Sequence, residues 1–159
     1  MPRIFVRNFL VPADAIDGMG HVNNLEYVRW MQDVAIEHSA ARGWPIERYQ
    51  RTRTAWVVRK HTIEYVRPAF TGDAVSLFTW VAGYRQSSSQ RRYLFWRASD
   101  QQPLVRAETL WVFVDAESGR ARPIPTELAA DFEIASDEEV LELARAGATG
   151  LAGPPPRTR

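Results

Sequence analysis

Residues 17–27, with the sequence DGMGHVNNLEY, carry the strongest structural signal in this chain. Glycines on either side of Met19 predict a flexible turn, and Asp17 and His21 place a carboxylate and an imidazole at its two ends. A helix is predicted to begin directly after the turn. Since the first amides of a helix have no partner within it, the turn brings a carboxylate toward free N–H donors. This combination is suited to attack on an acyl carbonyl.

Apolar residues recur with helical spacing beyond the turn, and they form one face: Tyr27, Trp30, Met31, Val34, Ala35, His38 and Ala41. Four charged residues predict an opposite, solvated or interfacial face: Glu26, Arg29, Asp33 and Glu37. Asn23 and Glu26 fit a reciprocal cap at the start of the helix. Gly43 and Pro45 end it.

Most of the remaining chain has the composition of β-strands. Arg3 to Leu10 predicts one strand, and four long stretches rich in β-branched and aromatic residues predict four more: 54–67, 73–84, 90–99 and 104–115. Short connections favour antiparallel pairing of these strands. A short helix is expected within 125–132 and a final one over 136–146, capped by Ser136 and Glu139. The predicted fold class is α+β.

The predicted domain organisation is simple. Residues 1–135 form one domain, 136–146 form a C-terminal helix, and 147–159 have too little apolar content to order themselves and are expected to be a disordered tail.

Composition excludes several classes of function. Twenty basic and nineteen acidic residues give a net charge of +1, so no global field favours nucleic acid or an anionic membrane surface. The absence of cysteine and the presence of only three histidines argue against a metal site. No segment reaches the roughly 18 apolar residues that a membrane span needs, so a cytoplasmic protein without membrane contact is expected. The six tryptophans fit either an acyl tunnel or ordinary core packing.

The first strand, the DGMGHVNNLEY turn, the following helix and residues 63–72 (IEYVRPAFTG) together resemble the hotdog-fold acyl-CoA thioesterases of the 4-hydroxybenzoyl-CoA thioesterase type. The similarity covers about Arg3 to Phe132. It implies a hotdog fold, in which a curved antiparallel β-sheet is wrapped around a long central α-helix. It also implies hydrolysis of an acyl-CoA thioester to free carboxylic acid and CoA, with no cofactor.

The resemblance assigns site residues by position. Asp17 matches the family's nucleophile or general base, and the backbone of Val22 to Asn24 matches the amides that polarise the thioester carbonyl. His21 is a second catalytic candidate, although orienting the loop would also explain it. The expected substrate-binding residues are Gly20, Val22, Asn23, Asn24 and Tyr27, of which Asn23 fits a helix cap better.

Two departures from the usual pattern bear on this assignment. Many relatives carry a second aspartate two positions before the catalytic one, where this chain has Ala15. A second hotdog type carries its carboxylate on the central helix, where Asp33 or Glu37 would be nearest, but their place on the polar face argues against them.

The resemblance also implies partners. A homodimer or homotetramer is expected, with Asp17 of one chain meeting strand residues of another, since an unpaired sheet edge favours pairing. Four arginines are candidates for the phosphates of CoA: Arg85, Arg91, Arg92 and Arg97. Structural roles are expected for His38, His61 and Glu64. The alternative functions are an acyl-ACP thioesterase and a noncatalytic acyl-CoA-binding sensor or carrier.

Overall fold

The computed structural model describes residues 3–157. The strands are β1 (Phe5–Leu10), β2 (Thr54–Tyr65), β3 (Ala74–Tyr84), β4 (Ser88–Arg97), β5 (Gln102–Asp115) and β6 (Leu151–Ala152). The helices are α1 (Asn24–Ala41), α2 (Ile46–Thr52), α3 (Thr126–Asp131) and α4 (Asp137–Arg145), with a single 3-10 turn at Ala13–Ala15. The predicted α+β class is confirmed, and each strand predicted from composition is present with its ends shifted by a few residues.

The long helix α1 is held at its start by Asn23, whose side chain accepts a hydrogen bond from the amide of Leu25 at 2.9 Å. The reciprocal half of the predicted cap is wrong, because the carboxylate of Glu26 faces Arg29 at 3.6 Å instead. At the other end, Gly43 adopts a φ of +91°, a conformation that glycine tolerates best. The second predicted cap, between Ser136 and Glu139 at the start of α4, is present in both directions.

The six strands form one sheet in the order β2-β5-β4-β3-β1-β6. All neighbours pair antiparallel except β1 and β6, which are parallel. The apolar face of α1 packs against one face of this sheet, as the spacing predicts, in a core cluster that includes Trp30, Met31, Val34, Leu77, Tyr93 and Phe95. Met31 and Val34 are completely buried. Burial of this apolar surface is the main stabilising term that fixes α1 on the sheet.

The opposite face of the sheet is covered by α4. Val140 and Ala144 of this helix pack on Phe78, Trp80 and Leu94 in a second cluster. Alternate residues of β3 therefore face different layers, which explains why this strand is buried on both sides.

The predicted disorder of the C-terminal tail is wrong for residues 147–157. Leu151–Ala152 adds to the edge of β1, Gly150 donates to the side chain of Asn8 at 2.7 Å, and Arg7 donates to the carbonyl of Pro154 at 2.7 Å. Backbone hydrogen bonds to a sheet edge, rather than apolar content, order this segment. Residues 158 and 159 of the predicted tail, and residues 1 and 2 of the predicted domain, lie outside the described part of the chain.

Because the tail pairs with β1, one edge of the sheet is partly covered and the other is open. The tail covers part of β1, whereas β2 lies at the opposite edge and pairs only with β5 within residues 3–157. Helix α2, which the sequence reasoning missed, follows α1 after a short connection and contacts β2. The long unpaired edge of the molecule is therefore β2.

Candidate active site

The turn that carries Asp17 is a closed loop. The amide of Asp17 donates to the carbonyl of His21 at 2.9 Å, and the amide of Gly20 donates to the carbonyl of Asp17 at 3.1 Å. Ile16 and Val22 pair beside it as an isolated antiparallel bridge. Gly20 has a φ of +88°, so a residue with a side chain would be strained there. The loop therefore holds Asp17 at a defined position.

The carboxylate of Asp17 makes its hydrogen bond inside this loop. Its Oδ1 accepts from the amide of Met19 at 2.8 Å, and the Nδ1 atom of His21 lies 3.9 Å from it, beyond hydrogen-bond reach. The side chains of Asp17 and His21 are 28% and 38% exposed. The expected contact between this carboxylate and the first helical amides is absent among the described hydrogen bonds. Both side chains remain accessible to a ligand.

The amides before and at the start of α1 are not equally available. Val22 donates to the carbonyl of Ala69 and Asn23 donates to the carbonyl of Ala15, each at 2.9 Å. The Leu25 amide is taken by the Asn23 cap. Within residues 3–157, the amide of Asn24 alone among these four has no hydrogen-bond acceptor. Of the amides of residues 22–24, which were predicted to polarise the thioester carbonyl, only the Asn24 amide is therefore available.

The predicted substrate-binding residues divide into two groups. Gly20 and Asn24 are exposed, whereas Val22 and Tyr27 are only 2% and 3% exposed. Burial raises the pKa of Tyr27 to about 12, and its ring packs on Phe95 in the core. The structure thus corrects the prediction for Tyr27, because the phenol belongs to the core cluster under α1.

Exposed apolar side chains flank the turn. Met19 is 80% exposed and Leu25 is 71% exposed. Neighbouring apolar groups of this size in water favour coverage by a ligand or another protein surface.

The other carboxylates on α1 are poor catalytic candidates. Asp33 is 6% exposed, and Glu37 lies 3.4 Å from Arg7 on β1. The face predicted to be solvated or interfacial is therefore not fully solvated, because Asp33 is buried and Glu37 faces Arg7 of β1. Position 15, where many relatives carry a second aspartate, holds an alanine that is 4% exposed.

A large apolar cavity lies near the C-terminal end of α1. Its volume is about 630 Å³, within the range of small-molecule sites, and six aromatic side chains line it: Trp44, Tyr49, Trp56, Tyr84, Trp111 and Phe132. The cavity reaches β2 at Thr54 and extends inward to Arg91 on β4. No sequence pattern predicted the position of this cavity, although the six tryptophans were compatible with an acyl tunnel.

Two of the four arginines proposed for CoA phosphates are already paired with carboxylates. Arg92 pairs with Glu108 and Asp137, and Arg97 pairs with Asp73 and Asp100, all at 2.9 Å. Arg91 is 7% exposed. Arg85 is exposed and forms no ion pair within residues 3–157. Of the four, Arg85 remains a candidate.

The remaining histidines have the structural roles that the sequence predicts. His38 is 2% exposed, and its Nδ1 atom accepts a hydrogen bond from Nη1 of Arg91 at 2.9 Å. Burial lowers the pKa of His38 to about 2, and the positive charges of Arg91 and Arg42 add to this effect. His61 lies 2.8 Å from the hydroxyl of Thr109 on the neighbouring strand.

Comparison with known proteins places this geometry in a family. A model of the thioesterase-like superfamily matches residues 11–132, which include the Asp17 turn, α1 and most of the sheet. The chain belongs to the thioesterase-like superfamily. A chloroplastic palmitoyl-acyl carrier protein thioesterase from Cuphea hookeriana is 27% identical to this superfamily member over 137 residues, which cover 82% of the chain and 33% of that protein. The chain spans about a third of the length of the curated relatives it matches.

Solved structures identify the fold of this thioesterase-like chain. A 1,4-dihydroxy-2-naphthoyl-CoA thioesterase from Synechocystis superposes with a TM-score of 0.74 at 17% identity, covering 81% of this chain and 95% of that one. A Staphylococcus aureus protein solved in complex with CoA gives a TM-score of 0.75 at 14% identity, covering 86% and 91%. The predicted hotdog fold is confirmed.

Residues 3–157 contain neither a metal-binding cluster of acidic and histidine side chains nor a membrane-spanning helix. No group of three or more histidine, aspartate or glutamate side chains in this range has a metal-binding arrangement. None of the described helices is long and apolar enough to cross a membrane.

The buried His38 predicts a pH dependence of stability. In the unfolded chain this imidazole takes up a proton near its ordinary pKa of 6.5, but in the folded protein it stays neutral down to about 2. The unfolded state therefore binds more protons below 6.5, and the free energy of unfolding falls by about 1.4 kcal/mol for each pH unit below that value. Between about pH 7 and about pH 5.5 the loss is about 1 kcal/mol.

Urea unfolding of the parent and His38→Gln at these two pH values measures this effect. Glutamine does not titrate and keeps an oxygen that can accept from Arg91, so the variant is expected to lack that part of the loss. An equal loss in both proteins would show that His38 is not its source.

Proposed function

We propose that this protein hydrolyses an acyl-CoA thioester to the free carboxylic acid and CoA, with Asp17 as nucleophile or general base. The observation that carries the proposal is a partly exposed Asp17 carboxylate, which a closed loop fixes just ahead of α1, where the Asn24 amide has no acceptor among the described residues. Membership of the thioesterase-like superfamily supports it.

Two routes remain open for Asp17. As nucleophile, its carboxylate attacks the thioester carbon, CoA leaves as a thiolate that takes up a proton, and water then hydrolyses the mixed anhydride. As general base, the carboxylate takes a proton from a water molecule while that water attacks. Both routes put negative charge on the carbonyl oxygen, which the Asn24 amide and the positive end of α1 would stabilise. His21 would then orient the loop or contact the acyl carbonyl.

One chain alone does not bring all of this site together. Asp17 precedes the first turn of α1, whereas the apolar cavity lies near its last turns. The cavity-lining residue of α1 nearest to Asp17 is Ala35, eleven residues after Asn24 and therefore about 16 Å farther along the helix. The acyl cavity of one chain is therefore too far from its own Asp17 for the two to share a short acyl thioester.

Pairing of two β2 edges would bring the missing parts together. The hydroxyl of Tyr65, at the end of β2, donates to the carbonyl of Asn24 at 3.2 Å, and Thr54, at the start of β2, lines the cavity. Antiparallel pairing of two copies along this strand sets the end of one β2 beside the start of the other. The Asp17 loop of each copy then lies beside the cavity of its partner. We infer that the active unit is a homodimer or a tetramer built from such dimers.

The inferred interface includes an electrostatic repulsion between like charges. Arg59 and Lys60 lie near the middle of β2, where full-length pairing of two copies sets like charges close together. Both side chains are exposed, so they can extend into solvent on either side of the joined sheet.

The acyl group could be carried by CoA or by acyl carrier protein. The matched curated relatives include acyl carrier protein thioesterases, whereas the solved structures include a CoA thioesterase and a CoA complex. We favour CoA because the Synechocystis thioesterase and the CoA-bound protein are matched over nearly their whole length. A cytoplasmic location stays a prediction from the sequence.

A thiol-release assay tests the function. Purified protein is offered short, medium, long and aromatic acyl-CoAs, and the same acyl groups on acyl carrier protein. Faster release from CoA thioesters is expected. Preference for the carrier protein would support the acyl-ACP alternative, and binding of acyl-CoA without turnover would support a sensor or carrier.

A further inference from the structure

The inner part of the apolar cavity holds a buried arginine. Arg91 on β4 is 7% exposed, and its neighbours in the cavity wall include the buried residues Val81 and Leu128. The rim of the cavity is open to solvent, because two of its charged residues, Arg53 and Glu117, are exposed. A ligand that enters from the rim therefore reaches Arg91 with its far end.

The guanidinium of Arg91 has no negative partner within residues 3–157. Its Nη1 atom donates to Nδ1 of His38 at 2.9 Å and to the hydroxyl of Thr79 at 3.0 Å, and both acceptors are neutral. The neighbouring arginines on β4, Arg92 and Arg97, are each paired with two carboxylates. An isolated buried cation is costly unless a carboxylate or other anion pairs with it.

The rest of the cavity wall suits an apolar ligand body. Trp44, Trp56 and Trp111 line a space of about 630 Å³. Aromatic walls of this kind favour a hydrocarbon chain or ring over a hydrated group. The cavity thus combines apolar sides with one buried positive charge.

We propose that this cavity binds acyl groups whose far end carries a carboxylate, and that Arg91 pairs with that carboxylate. The proposal rests on thioester hydrolysis as the function of the protein. Nη2 and Nε of Arg91 form no hydrogen bond to another described residue, so they are free for a bidentate contact with the two carboxylate oxygens. Arg91 is then a residue that determines specificity at the end of the acyl group remote from the thioester.

Matched pairs of substrates test this proposal. Suberoyl-CoA is compared with octanoyl-CoA, and glutaryl-CoA with valeryl-CoA, because the members of each pair differ only in the terminal carboxylate. A hydrogen-bonded charge pair that forms in a buried site predicts a preference of about tenfold to a hundredfold in kcat/KM for the carboxylate-ended member of at least one pair. Equal or faster hydrolysis of the methyl-ended member in both pairs would overturn the proposal.

Variants of Arg91 assign the preference to its charge. Arg91→Gln is expected to lose the preference, and Arg91→Lys, which keeps a cation, is expected to retain part of it. Arg145→Gln is the matched control, because Arg145 is an exposed arginine on α4, across the sheet from the cavity. Circular dichroism checks that each variant is folded. A preference that survives in folded Arg91→Gln would also overturn the proposal.

Direct binding separates this proposal from the proposed function. Titration calorimetry with free octanoate and 1-octanol needs no hydrolysis. Only octanoate carries a carboxylate, so tighter binding of octanoate is expected in the parent but not in Arg91→Gln. If no thioester is cleaved but this pattern holds, the carboxylate site stands and the hydrolase assignment fails. If octanoyl-CoA is cleaved as fast as suberoyl-CoA and 1-octanol binds as tightly as octanoate, the hydrolase assignment stands and the carboxylate site is wrong.

Discussion

Asp17→Asn is expected to lower kcat/KM for acyl-CoA hydrolysis by about a hundredfold to ten-thousandfold, the usual range for loss of a general base or nucleophile. An amide neither takes a proton from water nor attacks a thioester. Its oxygen can still accept the hydrogen bond from the Met19 amide, so the loop is expected to keep its shape. The loss should therefore appear in kcat, with a melting temperature close to that of the parent.

Asp14→Asn is the matched control for this substitution. Asp14 is an exposed aspartate three residues earlier in the chain, in the 3-10 turn, and it is not part of the proposed site. Both variants lose one negative charge on the same segment, but only Asp17→Asn should lose activity. Parent-like hydrolysis by a folded Asp17→Asn protein would remove Asp17 from the mechanism.

Val58→Pro is expected to separate the protein into monomers and to lower hydrolysis by about a hundredfold or more, because each monomer lacks half of the proposed site. The direction of the Val58 amide follows from the sheet. Ala116 donates to the carbonyl of Arg53, and in the same register Val112 pairs with Val57. Since the hydrogen bonds of a strand alternate in direction, the Val57 amide points to β5 and the Val58 amide points to the open edge.

Proline at position 58 therefore removes an N–H group from the outer edge and leaves the bonds to β5 in place. Light scattering measures the mass, and circular dichroism verifies the fold. Val58→Thr keeps the amide and a β-branched side chain, so it should remain a dimer with parent-like activity. A folded Val58→Pro monomer with full activity would show that a single chain contains the complete site.

The sequence was most informative where local patterns determine the structure. The spacing of Trp30, Met31 and Val34 predicted the buried face of α1, and the glycines around Met19 predicted the closed turn at Asp17. These features depend on near neighbours in the chain. The resemblance carried the rest of the fold prediction, because it supplied the wrapping of the sheet around α1.

The errors have a common physical origin in contacts between distant segments. The tail is ordered by hydrogen bonds to Asn8 and Arg7, which composition does not reveal. Asp33 occupies a polar position on the helix, yet it is 6% exposed in the folded chain. The cavity with Arg91 is assembled from α1, α2, α3 and four strands, so no local pattern could locate it.

If Asp17 of one chain acts on an acyl group held in the cavity of another, two inactive variants should restore activity when their chains are mixed. Asp17→Asn lacks the carboxylate, and Ala35→Phe fills the cavity from its α1 wall. Each homodimer should be inactive. After the chains are unfolded together and refolded, half of the dimers are mixed, and each mixed dimer has one intact site built from the Asp17 of the Ala35→Phe chain and the open cavity of the other.

The expected thiol-release rate of this mixture is therefore roughly a quarter of the rate of the parent protein. Separately refolded variants, combined only afterwards, are the control and should stay inactive while their subunits do not exchange. A refolded mixture that contains mixed dimers but is no more active than the separate variants would rule out a site shared between two chains. Asp17 and the cavity would then have to act within one chain.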